Sequence, residues 1–380
     1  MEFGARDDHF DVLVVGAGVV GLSVALHLAN PRLRVGLLER HSGAGRETSS
    51  RNSGVIHAGI YYPSDSLKAR LCIEGRERLY HWCGTQHVPY QQCGKWIVAT
   101  SETQIGPLRQ LMERGQKNGA GALQWVQQAE FLTREPDLNA LAAVWSPESG
   151  VVDAETFVQT LRLQAERAEV AIGWCTELVD LSQDSQGWSL RLRAADGNES
   201  SLHASVVVNA AGLHADDLAL RAGYDIDGLG WRQRLVRGDY YSLQGSTPRP
   251  RCALVYPVPE PSLEGLGVHL TRDLGGRWLA GPDTTDIDEI DYRVGSNKAE
   301  AFAASLRAWL PEISASELRA DYAGIRPRLV GPANASRDFV ISLESEGFLH
   351  LGGIESPGLT ASLAIGAHAA QMVEASGLMS

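Results

Sequence analysis

The sequence predicts an α/β protein in which a Rossmann-like, doubly wound nucleotide-binding domain is interleaved with a domain built on an antiparallel sheet. The first observation is a glycine-patterned strand–turn–helix near the start of the chain, between residues 10 and 29. The second is a block rich in strand patterns between residues 237 and 283. A chain of 380 residues is also long for a single core, which favours two connected domains.

The strand–turn–helix has the glycine spacing of a dinucleotide-binding motif. The apolar, β-branched run Phe10–Val15 predicts a buried parallel strand, and a helical pattern follows through Ala29. Between them, Gly16 would make the tight turn, Gly18 would let the backbone approach a pyrophosphate, and Gly21 would let helix and strand pack closely. The free N–H groups at the start of the helix would then bind the phosphates.

A second strand supports this interpretation. The run Arg34–Leu38 is followed by Glu39, at the position where a carboxylate binds the adenosine ribose hydroxyls of a dinucleotide. Strand, helix, second strand and acid in this order are more specific than the glycine pattern alone. Residues 12–29 are apolar enough to suggest a membrane span, but the three glycines with Ser23 and His27 favour a buried strand–turn–helix, so we expect no transmembrane segment.

Three features favour FAD over NAD as the dinucleotide. The polar loop 43–54 offers hydroxyls and amides for further contacts to phosphate and ribityl groups. The apolar strand Ser205–Asn209 ends in small residues that would let a flat ring lie close. The loop Gly352–Gly358 leads into a predicted helix over 359–374, whose N-terminus would stabilise an anionic reduced flavin. No second glycine fingerprint indicates a separate NADPH site.

The predicted cofactor-binding residues come from these segments and their flanks. They are Gly16, Gly18, Val19, Val20, Gly21, Glu39, Arg40, Thr48, Ser49, Ser50, Asn52, Ser53, Gly54, Leu178, Ala210, Ala211, Gly212, Glu355, Gly358, Leu359 and Thr360.

The middle of the chain predicts the second domain. Helical patterns cover 102–118 and 157–167, and Asp196-Gly197 is a hairpin turn signal. Strand patterns cover 92–99, 174–181, 188–194, 240–243, 253–258, 266–271 and 278–281, the last four as in an antiparallel sheet. We therefore assign residues 1–85, 150–230 and 320–380 to an FAD-binding domain, and residues 86–149 and 231–319 to a substrate-binding domain.

The composition argues against several classes of partner. The formal net charge is −12 and no basic run occurs in the chain, so we expect no nucleic-acid partner. The five cysteines form no Cys-x-x-Cys pair and no metal-type spacing, so we expect reduced thiols and no metal. Reduced thiols predict a cytoplasmic protein, with contact to the inner face of the membrane as an open alternative.

Several longer runs, spread over essentially the whole chain, resemble one family. They are SSRNSGVIHAGIYY (Ser49–Tyr62), RGDYY (Arg237–Tyr241), YPVP (Tyr256–Pro259), GLGVHLT (Gly265–Thr271) and IESPGLTASLA (Ile354–Ala364). They are similar to runs of the L-2-hydroxyglutarate dehydrogenase/oxidase family of flavoproteins, within the D-amino-acid oxidase/glycine oxidase superfamily. The resemblance implies FAD and a glutathione-reductase-2 or D-amino-acid-oxidase-like fold. It also implies oxidation of a carbon that bears a hydroxyl or amine beside a carboxylate.

The chain departs from this family in two places. Gly324–Arg328 looks more like the carboxylate-binding arginine segment of amino-acid oxidases, and Pro282-Asp283 stands where the family usually has Pro-Asn. The function predicted first is oxidation of a small 2-hydroxy acid, L-2-hydroxyglutarate to 2-oxoglutarate, by hydride transfer from C2 to the flavin. The electron acceptor is left open between oxygen, a quinone and a protein carrier.

Three alternatives stay open. One is an amino-acid or amine oxidase of the glycine-oxidase type. A second is an FAD-linked glycerol-3-phosphate dehydrogenase, which resembles this chain around His57 but has an arginine just after the glycine, where this chain has Ile60 and Tyr61. The third, from a different class, is a non-catalytic flavin-binding protein.

Three residues are predicted to carry the chemistry. Arg326, between glycine and proline, could bind the substrate carboxylate with two hydrogen bonds, although most arginines only form surface ion pairs. His57 could accept the hydroxyl proton near neutral pH, and His269 is the rival base; a structural histidine is the simpler interpretation of each. The predicted substrate-binding residues are Tyr62, Tyr241, Tyr256 and Ser356.

Overall fold

A computed structural model describes residues 9–185, 187–259, 265–331 and 337–378, which fold around two large sheets and one small sheet. The strands are β1 (His9–Val15), β2 (Val35–Leu38), β3 (Val55–Ile56), β4 (Tyr90–Gln91), β5 (Lys95–Ala99), β6 (Gln124–Gln127), β7 (Ala142–Ser146), β8 (Gly150–Val152), β9 (Ala171–Gly173), β10 (Thr176–Asp184), β11 (Gly187–Ala194), β12 (Glu199–Asn209), β13 (Gln233–Leu243), β14 (Leu254–Pro257), β15 (His269–Arg272), β16 (Trp278–Gly281), β17 (Thr285–Ile287), β18 (Leu318–Leu329), β19 (Val340–Leu343) and β20 (Phe348–Gly352). The helices are α1 (Val19–Leu28), α2 (Leu67–Gln86), α3 (Glu102–Asn118), α4 (Gln128–Arg134), α5 (Ala154–Arg167), α6 (Ala215–Arg221), α7 (Ala299–Arg307) and α8 (Gly358–Ala375).

The first sheet is the predicted Rossmann-like sheet. Its parallel core has the order β20–β12–β1–β2–β9, so that β1, α1 and β2 form the expected strand–helix–strand unit. The β10–β11–β12 meander pairs antiparallel, and Asp196-Gly197 lies in the β11–β12 turn as predicted. Residues of α1, α5 and α8 pack with β1 and β2 in one buried cluster, which explains the nearly continuous apolar pattern of the strands. The predicted fold class is confirmed.

The second sheet is largely antiparallel, with the order β17–β13–β16–β15–β14–β5–β7–β6 and β18 paired to β13. One pair differs from the prediction, because β14 and β5 run parallel. These two strands come from segments about 150 residues apart in the sequence, so no local pattern could predict their pairing. Helix α7 covers this sheet through Phe302 and Leu306, both buried with Trp96 and Tyr241.

Several predicted strands have different bounds, and two of them show why. The run 92–99 forms β5 only from Lys95, while the preceding β4 pairs with β8 in the small β3–β8–β4 sheet. The run 205–209 is the end of the longer β12, whose first half pairs with β11 in the hairpin.

Strand β18 changes the interpretation of the segment around Arg326. Arg326, which the sequence places between glycine and proline, lies inside β18, opposite Val236 of β13. Pro327 is tolerated because, among the described strands, β18 pairs only with β13 and is an edge strand. The predicted boundary at residue 320 therefore falls within a strand of the second sheet.

No helix among the described residues is long and apolar enough to cross a membrane. All five cysteines are free, and Cys72, Cys83 and Cys252 are buried. In the same described ranges, no group of three or more His, Cys, Asp or Glu side chains could hold a metal ion.

Candidate active site

A continuous cavity of about 760 Å³ runs between the two large sheets. One end is formed by the β1–α1 turn, the end of β2 and the start of α6, where carboxyl ends of parallel strands meet. The other end is formed by residues of the second sheet, the loop after the short 3-10 helix Thr48–Ser50 and the N-terminus of α8. Such a crevice at the carboxyl edge of a parallel sheet is where nucleotides bind in this class of fold.

The β1–α1 turn requires glycine because neighbouring backbone leaves no room for a Cβ atom. Gly16 has φ of +106°, and a Cβ there would lie 2.6 Å from the carbonyl oxygen of Ala210 at the end of β12. A Cβ on Gly21 would lie 1.9 Å from the carbonyl oxygen of Gly16, so the helix touches the turn directly. The turn thus presents bare backbone and the N-terminus of α1 to the cavity, which suits a pyrophosphate.

Glu39 is held at the end of β2 by two backbone amides. Its carboxylate oxygens accept hydrogen bonds from the N–H groups of Ala17 and His41, each at 2.8 Å, and the side chain lines the cavity. A carboxylate oxygen has room for a second hydrogen bond, so both remain able to accept from ribose hydroxyls. The residue types and backbone at this end fit an adenosine diphosphate moiety.

The polar loop after β2 is braced by its own side chains. The Ser49 hydroxyl accepts from the Val19 N–H at 3.0 Å, and the Asn52 amide donates to the Ser49 carbonyl at 2.8 Å. Ser50 instead donates to the Glu47 carbonyl and does not line the cavity. Part of the hydroxyl array that predicted cofactor contacts is therefore used to shape the loop.

Most of the predicted cofactor residues do line the cavity. They are Gly16, Gly18, Val19, Val20, Glu39, Arg40, Thr48, Ser49, Asn52, Ser53, Leu178, Ala210, Ala211, Gly212, Glu355, Gly358 and Leu359. Four lie outside its lining, namely Gly21, Ser50, Gly54 and Thr360. Thr360 supports the site from behind, because its hydroxyl accepts from the His57 N–H at 3.1 Å and donates to the Val55 carbonyl.

We expect Glu39→Ala to weaken FAD retention at least about tenfold, since it removes charge-assisted hydrogen bonds to the ribose. Glu39→Gln, which keeps the side-chain length and a bond to the turn, should have a smaller effect. The measurement is flavin absorbance after repeated ultrafiltration, with the exposed Glu113→Ala of α3 as the control. Equal retention by Glu39→Ala and Glu113→Ala would show that another residue binds the ribose.

At the other end of the cavity, the predicted His57, His269 and Arg326 all line the wall, together with Tyr62 and Tyr256. The His269 ring stacks on Tyr256 with centroids 3.8 Å apart. Its Nδ1 lies 2.9 Å from the Gly267 carbonyl, which can only accept, so Nδ1 carries the hydrogen and Nε2 has the free lone pair.

His57 is held in a different way. Its Nε2 lies 3.3 Å from the hydroxyl of Ser356, which in turn lies 3.4 Å from the Tyr62 hydroxyl. Its Nδ1 is buried and has no hydrogen-bond partner among the described residues. Ser356 therefore contacts this histidine, and Tyr62 contacts Ser356.

Both histidines are kept uncharged by their surroundings. Burial, followed by the charges of Lys95, His269 and Arg326, holds the pKa of His57 well below its usual value. Burial also lowers the pKa of His269 to about 3, with the Gly267 carbonyl acting in the opposite direction. A neutral imidazole can accept a proton, so both histidines are candidate bases at neutral pH.

The predicted Tyr241 does not line the cavity. Its ring packs against Phe302 in the core of the second sheet, and its hydroxyl donates to the Gly295 carbonyl. The neighbouring Tyr240 takes the expected place, because successive strand residues point to opposite faces. The Tyr240 hydroxyl faces Ser53 and the Arg326 guanidinium, and its ring stacks on Tyr322 at 4.5 Å.

A buried ion cluster at the α8 end was not predicted. Glu355 accepts from Lys68 Nζ at 2.9 Å and from Arg328 Nε at 3.2 Å, and all three side chains line the cavity. Burial opposes ionisation of Glu355, but these cations and Arg326 hold its pKa below the usual value. One carboxylate between two cations leaves this end of the cavity positive, as expected for a site that accepts anions.

Strand β18 joins the two ends of the cavity. The Thr48 hydroxyl donates to the Ile325 carbonyl at 3.1 Å, and the Tyr322 hydroxyl donates to the Asn52 carbonyl at 2.8 Å. A Cβ on Gly324 would lie 2.1 Å from the Arg51 carbonyl oxygen. The strand that carries Arg326 therefore lies directly against the loop that lines the cofactor groove.

Comparison with known proteins identifies the family of the chain. The family described as "FAD dependent oxidoreductase" (DAO) matches residues 11–372. The mitochondrial L-2-hydroxyglutarate dehydrogenase of Arabidopsis thaliana is 39% identical over 407 residues, with 96% of this chain and 83% of the relative covered. Two solved structures share the fold. L-α-glycerophosphate oxidase from Mycoplasma pneumoniae, with FAD bound, has a TM-score of 0.84 at 29% identity, covering 96% and 95% of the chains. Glycine oxidase from Geobacillus kaustophilus has 0.79 at 23%, covering 97% and 95%.

Proposed function

The chain belongs to the DAO family of FAD-dependent oxidoreductases, and from that premise we propose that it oxidises a small 2-hydroxy acid, with L-2-hydroxyglutarate as the first substrate and 2-oxoglutarate as the product. FAD is the cofactor, as the sequence predicts. The observation that carries the proposal is that the cation Arg326 and two neutral imidazoles, His57 and His269, line the cavity close enough for Arg326 to lower the pKa of both. Oxidation of a hydroxyl-bearing carbon beside a carboxylate requires a cation to bind the carboxylate and a base to accept the hydroxyl proton.

The residues of the chain have separate tasks in this proposal. Arg326 would bind the C1 carboxylate with two hydrogen bonds, which fixes C2 and its hydroxyl in the cavity. His57 or His269 would accept the hydroxyl proton at an unprotonated ring nitrogen. The rings of Tyr256 and Tyr240 would exclude water from the reacting carbon. FAD, when bound, supplies the hydride acceptor.

A phosphate-bearing polyol is the second candidate, because the glycerophosphate oxidase of Mycoplasma pneumoniae has a similar fold at 29% identity. Against it, this chain has Ile60 and Tyr61 after Gly59, where the resemblance to glycerol-3-phosphate dehydrogenase implies an arginine that binds phosphate. Amino-acid oxidation has weaker support, since the glycine oxidase is only 23% identical and supports the fold alone. We further propose a cytoplasmic location, which the free cysteines favour.

Anaerobic flavin reduction is the direct test of substrate. We expect L-2-hydroxyglutarate to bleach the flavin absorbance, with D-2-hydroxyglutarate as the matched control, because the carboxylate anchor and the base define one face of C2. Bleaching by glycerol 3-phosphate or by an amino acid, but by no 2-hydroxy acid, would overturn the proposal. A flavin that none of these compounds reduces would favour the non-catalytic alternative. Once a substrate has reduced the flavin, its reoxidation by oxygen, by a quinone, or only by cell extract containing a protein carrier would distinguish the three proposed electron acceptors.

A further inference from the structure

Lys95 is a buried amine for which the described residues supply no counter-ion. It is the first residue of β5 and is 0% exposed. Within the described part of the chain, its Nζ has no hydrogen-bond partner. An isolated ammonium in this environment is strongly unfavourable, so buried lysines are normally paired with an acid. A buried lysine without a counter-ion is therefore a candidate partner for the negative charge of a bound ligand.

The amine lies behind the aromatic wall of the proposed substrate site. Its Nζ is 4.5 Å from the ring centroid of Tyr61 and 4.7 Å from that of Tyr256. Both rings line the cavity, and Tyr256 also stacks on His269. An ammonium at these distances is attracted by the ring faces, which gives it a position but no opposite charge.

The described titratable groups whose charges act on Lys95 are not negative at neutral pH. Three thiols face it, from α2, from the segment before β5 and from the segment before β14. Burial raises the pKa of each thiol, so all three stay protonated: to about 12 for Cys72, about 11 for Cys93 and about 12 for Cys252. Burial likewise raises the pKa of the Tyr61 and Tyr256 hydroxyls above their usual value.

The remaining neighbours are neutral or positive. The pKa values of His57 and His269 are lowered by burial and further by the charge of Lys95, and Arg326 is a cation on the cavity side. At this end of the cavity the described acids Glu355 and Asp283 pair with Lys68 and Lys298. The buried Glu135 accepts hydrogen bonds from the Trp96 indole and from two backbone amides. Since no acid among the described residues pairs with Lys95, a bound molecule is the anion that we infer for it.

We propose that Lys95 is a positioning residue of the substrate site, a buried counter-charge that takes up a proton when a carboxylate substrate binds in front of Tyr61 and Tyr256. The inference rests on the proposed function and extends it, because it predicts selection for substrates with two carboxylates over those with one. The second carboxylate doubles the negative charge near the amine, while Arg326 can bind only one of the two with its planar fork.

The sign of the effect follows from the protonation of the free site. Burial lowers the pKa of Lys95 to about 7, so the amine is mostly neutral above that pH when the site is empty. A bound anion favours the ammonium and raises this pKa, so binding must be accompanied by proton uptake. Affinity should consequently fall as pH rises above about 7, where protonating Lys95 costs progressively more.

The experiment is titration calorimetry of the FAD-loaded protein with glutarate, which has both carboxylates but no hydroxyl to oxidise. Heats measured in phosphate and in Tris at about pH 8 give the number of protons taken up. We expect roughly half to one proton for the wild type. Lys95→Met should take up none and bind about tenfold more weakly near neutral pH. Lys95→Arg, which holds its proton at every pH, should bind without uptake. The control is Lys117→Met, a 67% exposed lysine of α3.

Each outcome decides the proposal. Wild-type uptake that persists in Lys95→Met would assign the proton to another group and overturn it, as would wild-type binding without uptake. If Lys95→Met does not fold, the Lys95→Arg comparison alone tests the linkage, because persisting uptake in that variant also excludes Lys95. Flavin reduction by L-2-hydroxyglutarate with no Lys95-dependent uptake overturns only this inference. A protein that neither binds glutarate nor is reduced by any 2-hydroxy acid overturns this inference and the proposed function together.

Discussion

Replacing the histidine that accepts the substrate proton is expected to slow flavin reduction by L-2-hydroxyglutarate about 10²- to 10⁴-fold. His57→Gln and His269→Gln each keep a hydrogen-bonding side chain of similar reach but remove the ring nitrogen that can take up a proton. Substrate affinity should change little, since Arg326, the proposed ligand of the carboxylate, is unchanged. The measurement is single-turnover, anaerobic reduction of the flavin across a range of substrate concentrations, which separates rate from binding.

The pair of variants decides which histidine is the base. The sequence favours His57, while the fixed Nδ1–H of His269 leaves its Nε2 lone pair directed away from the Gly267 carbonyl. The residue whose replacement removes the rate is the base, and the other should cost much less. The exposed His81→Gln serves as a control for loss of a histidine elsewhere. Near-normal rates in both site variants would mean that neither residue accepts the proton.

The same assignment predicts the acid limb of the pH profile. Burial lowers the pKa of both histidines, so their rings stay unprotonated at pH values where an exposed imidazole would already carry a proton. Activity in kcat/KM should therefore remain high below the usual histidine range and fall only as pH drops through the depressed pKa. A half-maximal point at or above the usual histidine value would contradict a buried, neutral base.

Arg326→Ala is expected to lower kcat/KM for L-2-hydroxyglutarate by roughly thirty- to a hundredfold. A bidentate, charge-assisted pair in a partly buried site contributes on the order of 2–3 kcal/mol, and each 1.4 kcal/mol is about a factor of ten. Arg326→Lys keeps the charge but loses the planar fork, so it should lie between wild type and Arg326→Ala. Steady-state kinetics on the best acid of the substrate panel gives both values.

Two controls make this result specific. Arg293→Ala removes an arginine that is 90% exposed and paired with Asp291, so it should leave kcat/KM unchanged. FAD content must be equal in all variants, because β18 also contacts the loop that lines the cofactor groove. If Arg326→Ala and Arg326→Lys both retain near wild-type kcat/KM, Arg326 does not bind the carboxylate and the proposed mechanism loses its anchor.

The nucleotide-binding half could be predicted from sequence because its signals are local. Gly16 and Glu39 stand at fixed distances from a strand end, and the structure places both at the cavity for reasons that involve near neighbours. The predicted helix 157–167 is α5, which begins three residues earlier, at Ala154, where the Asp153 side chain caps it by accepting from the Thr156 N–H. Short-range spacing carries the physical constraint in each case.

The substrate half was harder because its constraints act between distant segments. The choice of Tyr241 over Tyr240 depends on which face of β13 meets the cavity, and β13 has a register shift against β18 between Asp239 and Tyr241. Lys68 and Glu355 are 287 residues apart, so their pairing leaves no local pattern. Lys95 is an isolated charge at the start of an apolar run, and only the fold shows that its Nζ has no hydrogen-bond partner among the described residues.

The contact of β18 with the cofactor loop has a consequence for how new substrate preferences could be engineered. Arg326, the Ile325 carbonyl and the close approach of Gly324 to Arg51 belong to one short piece of chain. Side chains on α3, such as Gln110 and Leu111, can be varied to reshape the pocket without touching that piece or the candidate bases. Substitutions at Gly324 would shift anchor and cofactor relative to each other. We would therefore keep residues 322–326 constant in a mutational library and vary the opposite wall.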